Sequence, residues 1–260
     1  LQEGLYMEYA KLGNTDIEVS KLCIGCMSFG KAGTMHDWTL DAQESEKVIK
    51  HALKLGINFF DTANCYSAGT SEEYLGQALK KNVARDKVVI ASKVYFNEGR
   101  LSKAAIEREI DGSLKRLGTD YLDLYIIHRF DFDTPIEETM GALADIVRQG
   151  KALYVGISNY DADQTRKALA VLKEHKVPCL IHQARYSMFD RWTEPDLLPV
   201  LKEEGVGMIA FSPLAQGLLT DKYLRGIPEN SRAAKSTGHL QTSQVTPEAV
   251  EKARKLNEVA

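Results

Sequence analysis

The chain has 260 residues, of which 44% are hydrophobic and 27% charged, with a formal net charge of −3. That balance suits a globular domain able to bury a core without staples, and it lacks the basic footprint of a nucleic-acid partner. No apolar run approaches the ~20 residues that span a bilayer, so no membrane partner is expected either. Met7 reads as a native start with Leu1–Tyr6 ahead of it. No secretory signal is legible, and four cysteines (Cys23, Cys26, Cys65, Cys179) are expected to stay reduced in a cytoplasmic chain.

In chain order, Met7–Leu12 and Ile17–Leu22 flank Gly13-Asn14-Thr15-Asp16 and read as a β-hairpin. Seven short apolar runs follow: Leu22–Cys26, Ile57–Asp61, Val88–Ser92, Leu122–His128, Tyr154–Ser158, Leu180–Gln183 and Gly207–Phe211. Between them lie helical patterns. Ala42–Leu55 stops at Gly56, Ser71–Lys81 opens on an acidic turn, and Ser102–Leu117 stops at Gly118. Thr134 reads as the cap of Pro135–Arg148, with Asp161–His175 and Glu194–Glu204 completing the set. Strand then helix, repeated, predicts a parallel sheet, and a doubly wound sheet or a closed barrel both fit that order. A hairpin ahead of the first strand could plug the bottom of a barrel. Gln216–Gln244 reads as a long binding loop, and Pro247–Ala260 as a further helix. An eight-fold barrel would need one more strand and helix.

Two local motifs tempt other readings. Gly25, four residues, then Gly30-Lys31 is most of a phosphate loop, but Ala32 stands where a Ser or Thr should hold Mg²⁺, and no acidic metal strand is visible. Lys31 then reads as a solvated loop residue. Cys23-Ile-Gly-Cys26 has metal-site spacing without a second pair, so both thiols read as core packing and no metal is expected.

The strand ends carry the chemistry. Asp61, Lys93, His128, Ser158 with Asn159, Gln183, and Phe211 with Ser212 close successive strands, and Tyr66 follows in the second loop. Singly, these are a helix cap, a loop lysine, a satisfied buried histidine and a packed tyrosine. At one end of one barrel they converge. A phenol of pKa ~10 is a poor acid, a nearby ammonium lowers it, and Lys93 can supply the charge while Asp61 holds the lysine. His128 can donate a hydrogen bond or pass a proton. A Tyr acid aimed at an oxygen gaining charge suits carbonyl reduction, and the missing hydride donor implies a nicotinamide cofactor. The G-x-G-x-x-G fingerprint is absent, so that cofactor would be held another way.

These residues resemble the aldo-keto reductase family, over essentially the whole chain from Met7. Asn58-Phe-Phe-Asp61-Thr-Ala-Asn-Cys-Tyr66 resembles the motif bearing the catalytic Asp and Tyr, Ser92-Lys93 the Lys site, and Tyr121–His128 the His site. The resemblance implies a (β/α)₈ barrel with an N-terminal β-hairpin, as a single domain over 1–260, reducing aldehydes or ketones with NADP(H). It implies that Gly25, Cys26 and Met27 lie against the nicotinamide end, and that Asp61, Ser158, Asn159 and Gln183 hold that end. By the same resemblance, Phe211, Ser212, Pro213, Leu214, Ala215 and Gln216 pack the ring and wrap the pyrophosphate. Phe211 replaces a Tyr or Trp of many relatives, and stacking needs only an aromatic face.

Gly150-Lys151-Ala152, Gly226-Ile227-Pro228 and Ser231-Arg232 resemble the branch of bacterial glyceraldehyde-3-phosphate and methylglyoxal reductases and potassium-channel β subunits. There Lys222 and Arg232 match positions touching the cofactor phosphates. Relatives continue past this C-terminus with the last strand-helix unit, which binds the 2′-phosphate. The chain as written is therefore expected to bind NADPH weakly or not at all and to be of low stability. The expected partners are a small carbonyl substrate and, among proteins, at most further copies of the chain. The alternative is a redox-sensing regulatory subunit, where His128 would often be Asn. The substrate pocket is expected from loops Asn97–Arg100, Arg129–Asp133 and Tyr186–Trp192, with Trp38 and Trp192 as candidate walls.

Overall fold

The computed structural model describes residues 6–34, 36–235 and 239–259. Gly238, within the long irregular stretch, and residues 1–5 ahead of Met7 lie outside the described residues. The chain forms two compact units. The first holds the residues through Gln183 and Asp196–Ile209, and the second Ala184–Pro195 and the residues from Ala210 onward.

A hairpin comes first: β1 (Tyr9–Lys11) pairs antiparallel with β2 (Glu18–Ser20), Ala10 facing Val19. Seven strands then form one sheet: β3 (Ile24–Gly25), β4 (Phe59–Asp61), β5 (Val89–Val94), β6 (Leu122–Ile127), β7 (Ala152–Ser158), β8 (Cys179–Arg185) and β9 (Gly207–Phe211). They lie side by side in sequence order, and every registered pair is parallel. A doubly wound sheet reverses its order at a switch point. This sheet has no reversal, which leaves the (β/α)₈ arrangement, with seven of its strands among the described residues.

The helices follow the strands as the caps foretell. In α1 (Ala42–Lys54), Asp41 accepts from the Glu44 amide at 2.9 Å. α2 spans Thr70–Asn82, and α3 (Lys103–Leu117) is capped by Ser102 and closed by left-handed Gly118. α5 (Ala162–Glu174), which follows α4 (Ile136–Arg148), carries a full Asp161–Gln164 capping box. α6 is Leu197–Glu204 and α7 is Pro247–Val259. Two helix starts differ from the sequence reading. Thr134 caps nothing, because its hydroxyl donates to Asp131 at 2.8 Å. α6 begins three residues after Glu194, whose carboxylate is occupied by Arg191 and Tyr186.

Alternation along the strands builds the core. Phe59, Val89, Ala91, Leu124, Ile126 and Ile181 cluster with Leu12 and Val19 of the hairpin, so the hairpin covers the N-terminal ends of the strands. Asn58, just ahead of β4, ties it down: its amide donates to Glu18 O and its carbonyl accepts from the Ser20 amide. Cys23 packs against this cluster and Cys26 is fully buried, both as free thiols. Strand side chains two residues apart share a face. The next positions beyond the apolar layer on that face are Asp61, Lys93, His128 and Gln183.

The glycine of the apparent phosphate loop has a packing reason. Gly30 sits at φ +133, and a Cβ there would lie 2.3 Å from Ser67 Cβ. Lys31 is exposed. The second unit has its own small core of Tyr223, Ala233 and Leu240, backed by Leu218, Ile227 and Val245. Within it Arg254 of α7 donates to Leu224 O.

One close approach gives a stability test. Gly76 in α2 faces the end of α3, where an added Cβ would stand 2.2 Å from Leu117 O. Gly76→Ala gains helix propensity yet is expected to lose about 2–3 kcal/mol in urea denaturation, since backbone cannot step aside as a side chain can.

Candidate active site

Lys93 is the centre of the site. Its side chain is fully buried, on β5, on the face of the sheet it shares with Ala91. Nζ donates to Asp61 Oδ2 at 2.6 Å and to Thr62 O at 2.7 Å, and it lies 3.4 Å from the Tyr66 hydroxyl. The β4–β5 register makes this meeting obligatory: Asp61 sits beside Ala91, so Lys93 projects one step further up the same face. Lys93 lies inside β5, which continues through Val94, rather than closing it. Its own neighbour Val94 pairs with Ile127, and the His128 amide then donates to Val94 O at 3.0 Å. Tyr66 opens a short 3-10 turn, followed by left-handed Ser67 and Ala68. Its ring meets the His128 ring edge-on at 5.7 Å.

The ionisation states follow from burial and charge. Burial alone would strip Lys93 of its proton, but the Asp61 carboxylate overcomes it and holds the ammonium well above the ordinary lysine value. Burial likewise pushes the Tyr66 phenol up, and Lys93 pulls it back only in part. The expected acidified phenol is thus corrected: Tyr66 is a buried phenol that keeps its proton. Burial, then the Lys93 and Arg129 charges, drive the His128 imidazole down to about 2. His128 is therefore a neutral ring across the physiological range, able to donate one N–H, and its Nδ1 has no partner. It is not a carrier of positive charge.

The strand ends beyond it are polar and buried. Ser158 closes β7 and Gln183 lies in β8. Asn159 takes a left-handed φ of 57°; its side chain donates to His128 O at 3.1 Å and to Ser158 Oγ at 3.2 Å and its backbone amide to Gln183 O at 3.1 Å, which braces three strand ends together. Gly25 ends β3, and Cys26–Ser28 form the 3-10 turn after it. The loops after β5 and β6 add an aromatic rim: Phe96 meets the His128 ring at 5.0 Å, and Arg100 joins the two loops through Asp133 at 2.7 Å.

The remaining sequence candidates belong to the second unit. Phe211 ends β9, and Ser212, Ala215 and Gln216 are all left-handed non-glycine residues. Pro213 and Leu214 lie between them, and such strained runs concentrate at ligand-embracing turns. Lys222 is exposed on its own turn, and Arg232 opens another. Trp192 donates to Arg185 O at 2.9 Å in this unit, while Trp38 of the first unit stacks on His36.

Sequence reasoning missed the buried polar layer behind the strands. Glu72, fully buried on α2, accepts from Ser92 Oγ at 2.5 Å and Arg116 Nε at 2.6 Å. Glu109 on α3 accepts from Asn64 and Asn97. The only signal was a carboxylate on the apolar face of each helix, beside Leu75 and Ile106.

Two predictions follow from the charges. Asp61→Asn strands a buried ammonium and is expected to cost roughly 3–5 kcal/mol in urea denaturation, with Lys93→Met in the same chain restoring much of it. His128, and His182, which burial drives down to about 4 against the opposing pull of the Tyr160 carbonyl, are neutral when folded and protonate on unfolding. Unfolding therefore takes up protons below the ordinary value of about 6.5, and stability falls as pH falls through that range. Between about pH 6 and 4, His128→Asn should flatten that slope by up to about 1.4 kcal/mol per pH unit.

Known proteins give the arrangement a family. The Aldo/keto reductase family model matches residues 21–260. L-glyceraldehyde 3-phosphate reductase of Escherichia coli (strain K12) is 40% identical, over 98% of this chain and 76% of its own length. A probable voltage-gated potassium channel subunit beta of Arabidopsis thaliana is 37% identical, over 88% and 70%. The crystal structure of a thermostable aldo-keto reductase, Tm1743, in complex with the inhibitor epalrestat, superposes with a TM-score of 0.74 at 36% identity, covering 83% of this chain and 76% of that one. Taken with the strand order and the residues at its ends, these matches establish that the chain belongs to the aldo/keto reductase family and is an oxidoreductase.

Proposed function

We propose that the chain reduces small aldehydes and ketones to alcohols with NADPH, methylglyoxal and glyceraldehyde or its phosphate being the expected substrates. The observation that carries this reading is the Lys93 ammonium held between the Asp61 carboxylate and the Tyr66 hydroxyl, beside a neutral His128 ring. The name of the Escherichia coli relative supports the substrate class.

The residues fit a nicotinamide. Its carboxamide needs both donors and acceptors, and the Gln183 amide makes no hydrogen bond among the described residues. Asp61 Oδ1 is buried and equally unpartnered. Ser158, Asn159 and Gln183 would hold the carboxamide, with Gly25, Cys26 and Met27 along the same end. Phe211 through Gln216, with Lys222 and Arg232, are the proposed holders of the ring and phosphates. When bound, NADPH supplies the hydride that the carbonyl carbon takes up.

The protein's own part is proton supply and orientation. As the carbonyl oxygen gains charge, Tyr66 gives it the phenolic proton. Lys93 stabilises the phenolate left behind, and Asp61 keeps Lys93 charged and in place. Solvent then returns the proton to Tyr66. Burial keeps the phenol protonated until that moment, which a general acid requires. His128 offers its N–H to the same oxygen and fixes the carbonyl's direction. The Escherichia coli relative supports a cytoplasmic setting. A nucleotide-sensing regulatory subunit is the second reading, favoured by the name of the Arabidopsis relative. His128, a donor aimed beside Tyr66, favours turnover.

Loss of NADPH absorbance with methylglyoxal or glyceraldehyde tests the proposal. Tyr66→Phe should lower kcat by ~100-fold or more while leaving NADPH affinity unchanged. NADPH binding without turnover in the unsubstituted chain would favour the sensor.

A further inference from the structure

Glu109 has no part in the chemistry above, yet it is buried, 8% exposed, on α3 behind the site. One oxygen, Oε2, accepts from Asn64 Nδ2 at 2.7 Å and from Asn97 Nδ2 at 2.7 Å. Oε1 faces the Arg108 guanidinium at 3.2 and 3.3 Å. Arg108 also donates to Glu98 O, next to Asn97.

The two asparagines stand on different loops. Asn64 precedes Tyr66 by two residues, and its amide donates to Lys93 O at 3.1 Å. Asn97 follows Phe96, whose ring packs on His128. A single carboxylate oxygen therefore bridges the loop that carries the phenol and the loop that seats the imidazole. A carboxylate oxygen, or the amide carbonyl of a glutamine at 109, has two lone pairs and can take both donors at one atom.

We propose that Glu109 is a positioning residue for the reduction. It clamps the loop after β4 to the loop after β5, and so sets the Tyr66 hydroxyl and the His128 ring in register with Lys93. The inference rests on Tyr66 acting as proton donor. Glu72 does not bridge the two loops, since its oxygens are taken by Ser92 on β5 and Arg116 on α3.

The test uses Asn97→Ala, Glu109→Gln and Glu109→Ala in the full chain. Asn97 is half-buried and Glu109→Gln keeps shape and one acceptor oxygen, so both are expected to fold even where Glu109→Ala does not. Asn97→Ala should lower kcat roughly tenfold with the aldehyde KM and melting temperature little changed, because a small misplacement of reacting groups acts on kcat. Glu109→Gln should stay near the unsubstituted rate, and in a folded Glu109→Ala background Asn97→Ala should have no further effect. A readout without turnover accompanies these: the Tyr66 amide resonance of the cofactor-free chain should move in Asn97→Ala. If the unsubstituted chain lacks NADPH turnover, the reaction assigned above fails while this resonance still reports the clamp. Asn97→Ala with unchanged kcat and unmoved Tyr66 resonance overturns the proposal. So does a Glu109→Ala that loses melting temperature while its folded fraction keeps the full rate.

Discussion

A lysine ammonium with no solvent exposure is the constraint on which this site depends. Left alone in a low-dielectric interior, such a group neutralises, its pKa falling by several units. Lys93 escapes that outcome because the β4–β5 register delivers the Asp61 carboxylate to 2.6 Å and the Thr62 carbonyl to 2.7 Å. Three donors need three acceptors, and the third direction points to the Tyr66 oxygen at 3.4 Å. That last contact is long, which suits a group meant to strengthen its hold only when the phenol gives up its proton. The same cation helps empty His128 of charge, so one buried lysine sets the states of both proton-bearing neighbours.

The fold supplies this arrangement through a period of two. Apolar residues fill one face of the sheet from the hairpin upward, and the next same-face residues are the polar ones. Those polar residues are dehydrated by the walls that feed them. Each wall then needs polar support, which two helices and a strand-end turn provide: Glu72 on Ser92, Glu109 on Asn64, Asn159 across to His128. Removing any one leaves a buried group unsatisfied, which is why the layer behaves as a unit.

Much of this was legible in the sequence. The strands announced themselves by short β-branched runs, the helices by Asp41, Ser102, Asp161 and the closing glycines, and the site by polar residues ending apolar strands. What escaped did so for physical reasons. Lys93 reads as a strand end because a charge ordinarily marks the exit to solvent, whereas here Val94 beyond it is also buried. Thr134 has the chemistry of a cap, but Asp131 outbids the helix amides for its hydroxyl. Gly30 mimics a phosphate loop, and only the close passage of Ser67 shows why glycine is needed. The phenol was read as acidified because proximity to a cation is visible in a sequence motif, while the larger effect of burial is not. Glu109 on an amphipathic helix looks solvated until the loops that fold over it are placed.

The protonation of Lys93 itself tests the account most directly. The ζ-nitrogen resonance of Lys93, followed by ¹⁵N NMR in the cofactor-free chain as pH is raised, should remain that of an ammonium past the ordinary lysine value of about 10.4. An amine that loses its proton below that value, as burial without an effective carboxylate partner would dictate, contradicts the charge arrangement from which the acid–base assignments are built.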